Sequence, residues 1–135
     1  MSKEDVVLES EQRWAINLEW LQVNNRSFTT MVKSSLCPKC RKKLKVDNGE
    51  VKANDILKAT KTCCSKNVDF ITPNLPIQES IFRVFLATGN QPLTLDELGN
   101  QLNQWRGADV YRTSVTMLSR LLKSDQHYGL QLVSV

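Results

Sequence analysis

The sequence predicts an α+β protein, and three observations carry that expectation. All four cysteines fall between residues 37 and 64, in two close pairs. Between the pairs, apolar and basic residues alternate around an Asn-Gly dipeptide, as strands joined by a tight turn do. From Ile77 onward, apolar residues recur at helical spacing in successive segments.

The first element expected is a helix. Ser10 suits its N-cap, and Trp14, Leu18 and Leu21 recur at helical spacing, with Ile16 and Trp20 beside them. Asn24-Asn25 would end it. Phe28, Met31, Val32 and Leu36 suit a short second helix leading to the first cysteine pair. After Cys40, Leu44 and Val46 alternate with Lys43 and Lys45, Asn48-Gly49 tolerates the positive φ of a primed turn, and Val51-Lys52-Ala53 follows, which predicts a β-hairpin. Asp55 can cap a short helix from Ile56 to Thr60. Cys63-Cys64 and a third strand, Val68-Asp69-Phe70-Ile71, complete this segment. The two prolines of Thr72-Pro73-Asn74-Leu75-Pro76 mark a boundary. The expected division is an N-terminal helical segment over 1–26, a cysteine domain over 27–72 and a helical domain over 73–135.

In the last segment, Ile77, Ile81, Val84 and Phe85 form one helix face, closed by Gly89-Asn90. Pro92-Leu93 is a short extended link. Thr94-Leu95-Asp96-Glu97 is a capping box, with the Thr94 hydroxyl on the Glu97 N–H and the carboxylate reaching back. Leu95, Leu98 and Leu102 then face inward, and Gly99 admits a close neighbour. Trp105-Arg106-Gly107-Ala108 reads as a loop. A third helix runs from Val110 or Tyr111 to Lys123, with Val115, Leu118 and Leu122 inward and Ser119 on the outward side. A turn over Asp125 to Gly129 leads to a final strand, Leu130 to Val133. Trp14, Trp20 and Trp105 are expected to pack in the core or between segments rather than form a binding platform.

Two close pairs of thiolates separated by a loop can supply the tetrahedral ligands of Zn2+: Cys37, Cys40, Cys63 and Cys64. Cys37-Pro38-Lys39-Cys40 has knuckle spacing. Cys63-Cys64 is irregular; whether both sulfurs ligate is open, with Asp69 or His127 as other candidates for the fourth position. Cys-Pro-Lys-Cys also fits a thiol redox centre, which needs its first cysteine at a helix N-terminus. The hairpin reading of the following residues argues against that.

The net charge of +4 is unevenly spread. Residues 1–24 carry two basic side chains against five acidic ones, and residues 70–135 carry five of each. Residues 25–69 carry eleven against four, so the positive field belongs to the cysteine segment. Lys39, Arg41, Lys42, Lys43 and Lys45 are therefore candidate phosphate contacts. No phosphate-binding glycine loop, nucleophile elbow or metallohydrolase helix motif is present, and Asp96-Glu97 is explained by capping, so no enzyme is expected. No apolar run approaches a membrane span, and the polar start of the chain reads as no secretory signal. The expected location is cytoplasmic, or nuclear in a eukaryote.

Knuckle, hairpin, second pair and third strand together resemble the zinc-ribbon class. Leu93 to Leu132 resembles a winged helix-turn-helix domain: 94–102 looks like the first helix of the motif, 113–123 like its recognition helix, and Tyr128-Gly129-Leu130 like the turn into the wing. Two features depart from the pattern. The link between the motif helices, from about Asn103 to Val110, is long, and one strand after the third helix predicts a short or incomplete wing. The resemblance implies nucleic-acid binding, DNA ahead of RNA, in transcription or its regulation, with Arg112, Thr113, Thr116, Arg120 and Lys123 facing the bases. The alternatives are a protein–protein adaptor in a transcription, replication or repair assembly, docking through the N-terminal or winged helices, and a thiol redox protein.

Overall fold

The computed structural model describes residues 11–107 and 113–133. The Ser10 cap, the expected start of the third helix at Val110 or Tyr111, and Arg112 lie outside them. Among the described residues are seven α-helices and one three-stranded antiparallel sheet, a mixed α+β architecture.

Where a helix was expected through Trp14 and Ile16, the described residues form a strand. Arg13–Ile16 is a strand, β1, and only Leu18–Val23 is helical, α1, capped by the Asn17 side chain on the Trp20 N–H at 3.0 Å. Trp14, Ala15 and Ile16 are all buried. Three consecutive buried residues fit a central strand covered on both faces, and β1 is that strand. It lies between β2 (Leu93–Thr94) and β3 (Leu130–Leu132), antiparallel to both, with Arg13 opposite Thr94 and Ile16 opposite Leu130. The amide of Asn90 extends the β2 side of the sheet, accepting from the Ile16 N–H at 2.8 Å and donating to the Ile16 carbonyl at 2.9 Å. Helical spacing in the sequence was real but incidental, because the strand's partners lie far along the chain.

The expected β-hairpin is replaced by helices. After α2 (Phe28–Val32) and a 3-10 turn at Lys33–Ser35, Pro38–Leu44 forms α3, with Pro38 in the first turn, where its missing N–H costs nothing. Lys45 adopts the left-handed conformation at φ 56° and ends the helix, and Val46–Asn48 makes a second 3-10 turn. Leu44 and Val46 therefore flank a helix terminus instead of lining a strand. The short helix expected after Asp55 is present and longer, α4 (Ala53–Thr62). The third strand is absent: the Phe70 N–H bonds the Asn67 carbonyl and the Asp69 N–H bonds the Asn67 side chain, which curls the chain into a turn that buries Phe70 and Ile71 and leaves Val68 exposed. Alternation over three or four residues carries little weight when no neighbouring strand is at hand to pair with it.

Downstream of Pro76 the expected elements form. They are α5 (Ile77–Ala87), β2, α6 (Leu95–Arg106), α7 (Val115–Lys123) and β3. The capping box at Thr94 and Glu97 is complete. The Thr94 N–H bond, then Arg13 at 3.0 Å, hold the Glu97 carboxyl below its ordinary range. One boundary and one helix face differ from expectation. Trp105 and Arg106 belong to α6 and not to a loop, and Val115 is exposed while Ser119 is buried.

α5 is the centre of the molecule. It buries Ser80, Ile81, Phe82, Val84, Phe85 and Leu86, and packs on α4, α6 and β1. A buried hydroxyl ties α4 to it, Thr60 Oγ1 donating to the Leu86 carbonyl at 2.7 Å. One contiguous core thus joins side chains from all three sequence segments, 1–26, 27–72 and 73–135. Trp14 lies in that core, Trp105 packs on Phe70 with ring centroids 5.9 Å apart, and Trp20 is half-buried.

Gly99 lets α6 approach the start of α7. A Cβ there would lie 2.9 Å from the Thr113 carbonyl oxygen and 3.5 Å from Leu118 Cδ1. The oxygen is backbone and cannot rotate aside. Gly99→Ala is expected to cost about 1–2 kcal/mol net, the strain exceeding the roughly 1 kcal/mol of helix propensity gained. Denaturant unfolding would measure this; a stabilised variant would show that the crossing yields freely.

Candidate metal centre

The two cysteine pairs meet where the first turn of α3 faces the end of α4. Cys37 is the N-cap of α3 and Cys40 sits one turn on, so the Cys-x-x-Cys spacing turns both side chains to one side. At the other wall, the helix breaks at Cys63 (φ −128°, ψ −65°) and resumes as a 3-10 turn at Cys64–Lys66. That break allows adjacent residues to address the same point: Cys37 Sγ lies 3.9 Å from Cys63 Sγ and 3.5 Å from Cys64 Sγ. The sulfurs of Cys37, Cys40 and Cys63 lie mutually within 4.8 Å. Cys64 joins them through Cys37, whose backbone N–H also donates to the Cys64 sulfur at 3.3 Å.

No disulfide joins the four cysteines; Cys40 and Cys64 are buried and Cys37 and Cys63 partly exposed. Burial raises the Cys37 thiol, but the Cys40 N–H and the neighbouring thiols of Cys64, Cys40 and Cys63 outweigh it and bring it down to about 7. Burial pushes the Cys40 and Cys64 thiols up, and for Cys40 the adjoining thiols push the same way. Cys37 is thus favoured over Cys40 and Cys64 to carry negative charge, with the Cys64 thiol donating to it at 3.5 Å. Four converging soft donors can hold a metal ion. Among the described residues neither Asp69 nor His127 enters the cluster; Asp69 is exposed and His127 Nδ1 lies 3.1 Å from the Arg26 guanidinium.

The helix after Cys37 removes one objection to redox chemistry, since a hairpin was the reason to discount it. The convergence of four sulfurs, rather than two, is what distinguishes this site from a simple dithiol.

The basic residues divide. Lys39, Lys42, Lys43 and Lys45 are exposed on or just after α3, whereas Arg41 faces Asp47 at 3.8 Å, a carboxylate it shares with Lys33 at 3.5 Å. On α7, Thr116, Arg120 and Lys123 share an exposed face at i, i+4 and i+7. Thr113 does not belong with them. It is buried, and its hydroxyl donates to Asn103 Oδ1 at 2.8 Å, bracing the end of α6 against the approach to α7. Arg112 lies outside the described residues.

Sequence reasoning missed Arg106, which is 7% exposed and donates to Ser80 Oγ at 2.7 Å, to the carbonyls of Thr72 (3.3 Å) and Pro73 (3.1 Å), and to that of Leu75. The signal was present: Leu98, Leu102 and Arg106 continue one i, i+4 stripe.

Among the described residues no helix is long and apolar enough to cross a membrane. Comparison with protein-family models, with curated proteins and with solved structures gives no significant match.

Proposed function

We propose that this chain is a zinc-containing nucleic-acid-binding protein, with DNA as its preferred target and regulation of transcription as its role. The observation that carries the reading is the pairing of β1 with β2 and β3. The order α5, β2, α6, α7, β3 resembles that of a winged helix-turn-helix, in which a wing needs a second strand antiparallel to the one after the third helix. Among the described residues no strand follows β3, and on this reading β1, antiparallel to β3, takes that position from the N-terminal side. On this reading α7 is the recognition helix, with Thr116, Arg120 and Lys123 toward the bases and Arg112 near its start. The lysines of α3 add phosphate contacts.

Zinc is the metal that fits the four sulfurs. A tetrahedral ion with Zn–S bonds of about 2.3 Å separates its ligands by about 3.8 Å; the two Cys37 contacts, 3.5 and 3.9 Å, are close to that edge. The zinc would tie α3 to α4, replacing the hairpin scaffold of a ribbon with two helix ends.

Mobility shifts on the zinc-loaded protein test the reading. Arg120→Ala with Lys123→Ala is expected to weaken duplex binding about 5- to 30-fold and to lower the salt slope by nearly 2. Unchanged affinity and slope would remove α7 from the interface. Absence of binding to DNA and RNA at low salt would overturn the nucleic-acid reading in favour of an adaptor.

One observation favours a second reading, a thiol redox protein: Cys37 caps a helix and its thiol is brought down to about 7. Folded, metal-free protein with a rapidly alkylated Cys37 would support it.

A further inference from the structure

α3 and α4 pack side by side, and a groove of about 480 Å³ runs between them. Lys39 and Lys43 line one wall and Lys58 and Asp55 the other, while Cys40 and Cys63 border it as well. Lys39 and Lys43 are one helical turn apart, about 6 Å along the axis. Among the described residues, no ion pair engages Lys39, Lys43 or Lys58, in contrast to Arg41 and Lys33, which share Asp47. Three cations against one carboxylate leave the groove positive. An ammonium on a flexible stem is a point-charge partner for phosphate and needs no planar match.

The groove is separate from α7: α3 packs on α4, α4 on α5, α5 on α6 and α6 on α7, and no residue of α7 lines the groove. The sulfur cluster joins the first turn of α3 to the end of α4, so the groove's two walls are held by the residues that would hold the metal.

We infer that the α3–α4 groove is a second nucleic-acid site, distinct from α7, which holds a phosphodiester backbone on Lys39, Lys43 and Lys58 and reads no bases. This inference rests on the nucleic-acid reading above. Lys58 enters it from α4, and Arg41, engaged by Asp47, drops out. Asp55 repels the same backbone and limits its affinity.

The test is fluorescence anisotropy on full-length, zinc-loaded protein, with a labelled oligo(dT) strand and a mixed-sequence duplex as probes across a salt series. The triple variant Lys39→Glu, Lys43→Glu, Lys58→Glu is expected to bind at least about tenfold more weakly, with a salt slope lower by about 2 to 3. Asp55→Asn is expected to bind about two- to threefold more tightly, a gain that loss of fold cannot mimic. The probe that responds more strongly identifies single or double strands as the source of the backbone. Unchanged affinity and slope in the triple variant, or no gain in Asp55→Asn, overturns the groove site. If that happens while Arg120→Ala with Lys123→Ala still weakens binding, the nucleic-acid function stands without the groove; if neither probe binds wild-type protein at low salt, both fall.

Discussion

Purified reduced protein is expected to carry one tightly held zinc ion per chain, and stripping it to cost more stability than any single side-chain change. Structural zinc in small sites contributes apparent binding energies of about 10–16 kcal/mol near neutral pH. Here the ion would clamp the start of α3 to the end of α4, an edge of the core where Cys40 and Cys64 are themselves buried. Cys40→Ser and Cys63→Ser are expected to abolish stoichiometric zinc, because each removes a corner of the compact sulfur triangle. Cys64→Ser tests the irregular pair: loss of zinc makes it a ligand, whereas full retention confines it to its contact with Cys37. The pH dependence has a definite sign. Burial keeps the Cys40 and Cys64 thiols protonated, so zinc must expel those protons, and affinity is expected to rise with pH over about 6 to 8. Metal analysis with chelator competition at several pH values measures all of this. Folded, metal-free protein whose melting temperature ignores chelator would overturn the zinc reading.

Arg106→Ala is expected to destabilise the zinc-loaded protein by about 3 kcal/mol or more. The guanidinium is buried and gathers the carbonyls of Thr72, Pro73 and Leu75 together with the Ser80 hydroxyl. Truncation leaves several of these acceptors without a donor, at about 1–3 kcal/mol for each that water cannot reach. It also frees the connector that carries the chain from Phe70 and Ile71 into α5. Arg106→Lys keeps the charge but not the fork, and one ammonium cannot reach acceptors spread over four residues, so it should recover less than half of the loss. Urea unfolding of the three proteins checks the order. Equal stability would mean that the connector needs no anchor.

How far the sequence reached depends on the range of the interactions. The capping box, the buried faces of α5 and α6, Leu118 and Leu122 on α7, the Asn90 terminus and the close contact at Gly99 were all legible, because each is written in residues within one or two helical turns. The convergence of the cysteines was legible as well, since two close cysteine pairs are the usual ligand pattern of a metal site. The ribbon hairpin was misread because Leu44, Val46 and Asn48-Gly49 fit a tight turn locally, while Pro38 and the left-handed Lys45 delimit a helix. Thr113 reads in the sequence as part of the third helix's polar face, but it precedes α7, is buried and bonds Asn103 on α6.

The sequence by itself determined a mixed α+β chain with a four-cysteine cluster, a positive middle segment and a helical C-terminal half, since composition, spacing and short-range periodicity are properties of the chain alone. Only the tertiary structure decided that Arg13–Ile16 is a strand, that Arg106 is an anchor and that Cys63 and Cys64 face the same point. Each of those depends on partners brought close by the fold: β1 pairs with residues at 93–94 and 130–132, and Arg106 with carbonyls more than thirty positions earlier. A strand has no internal hydrogen bonds and a buried guanidinium no local ones, so neither has a state of its own until the rest of the chain supplies one.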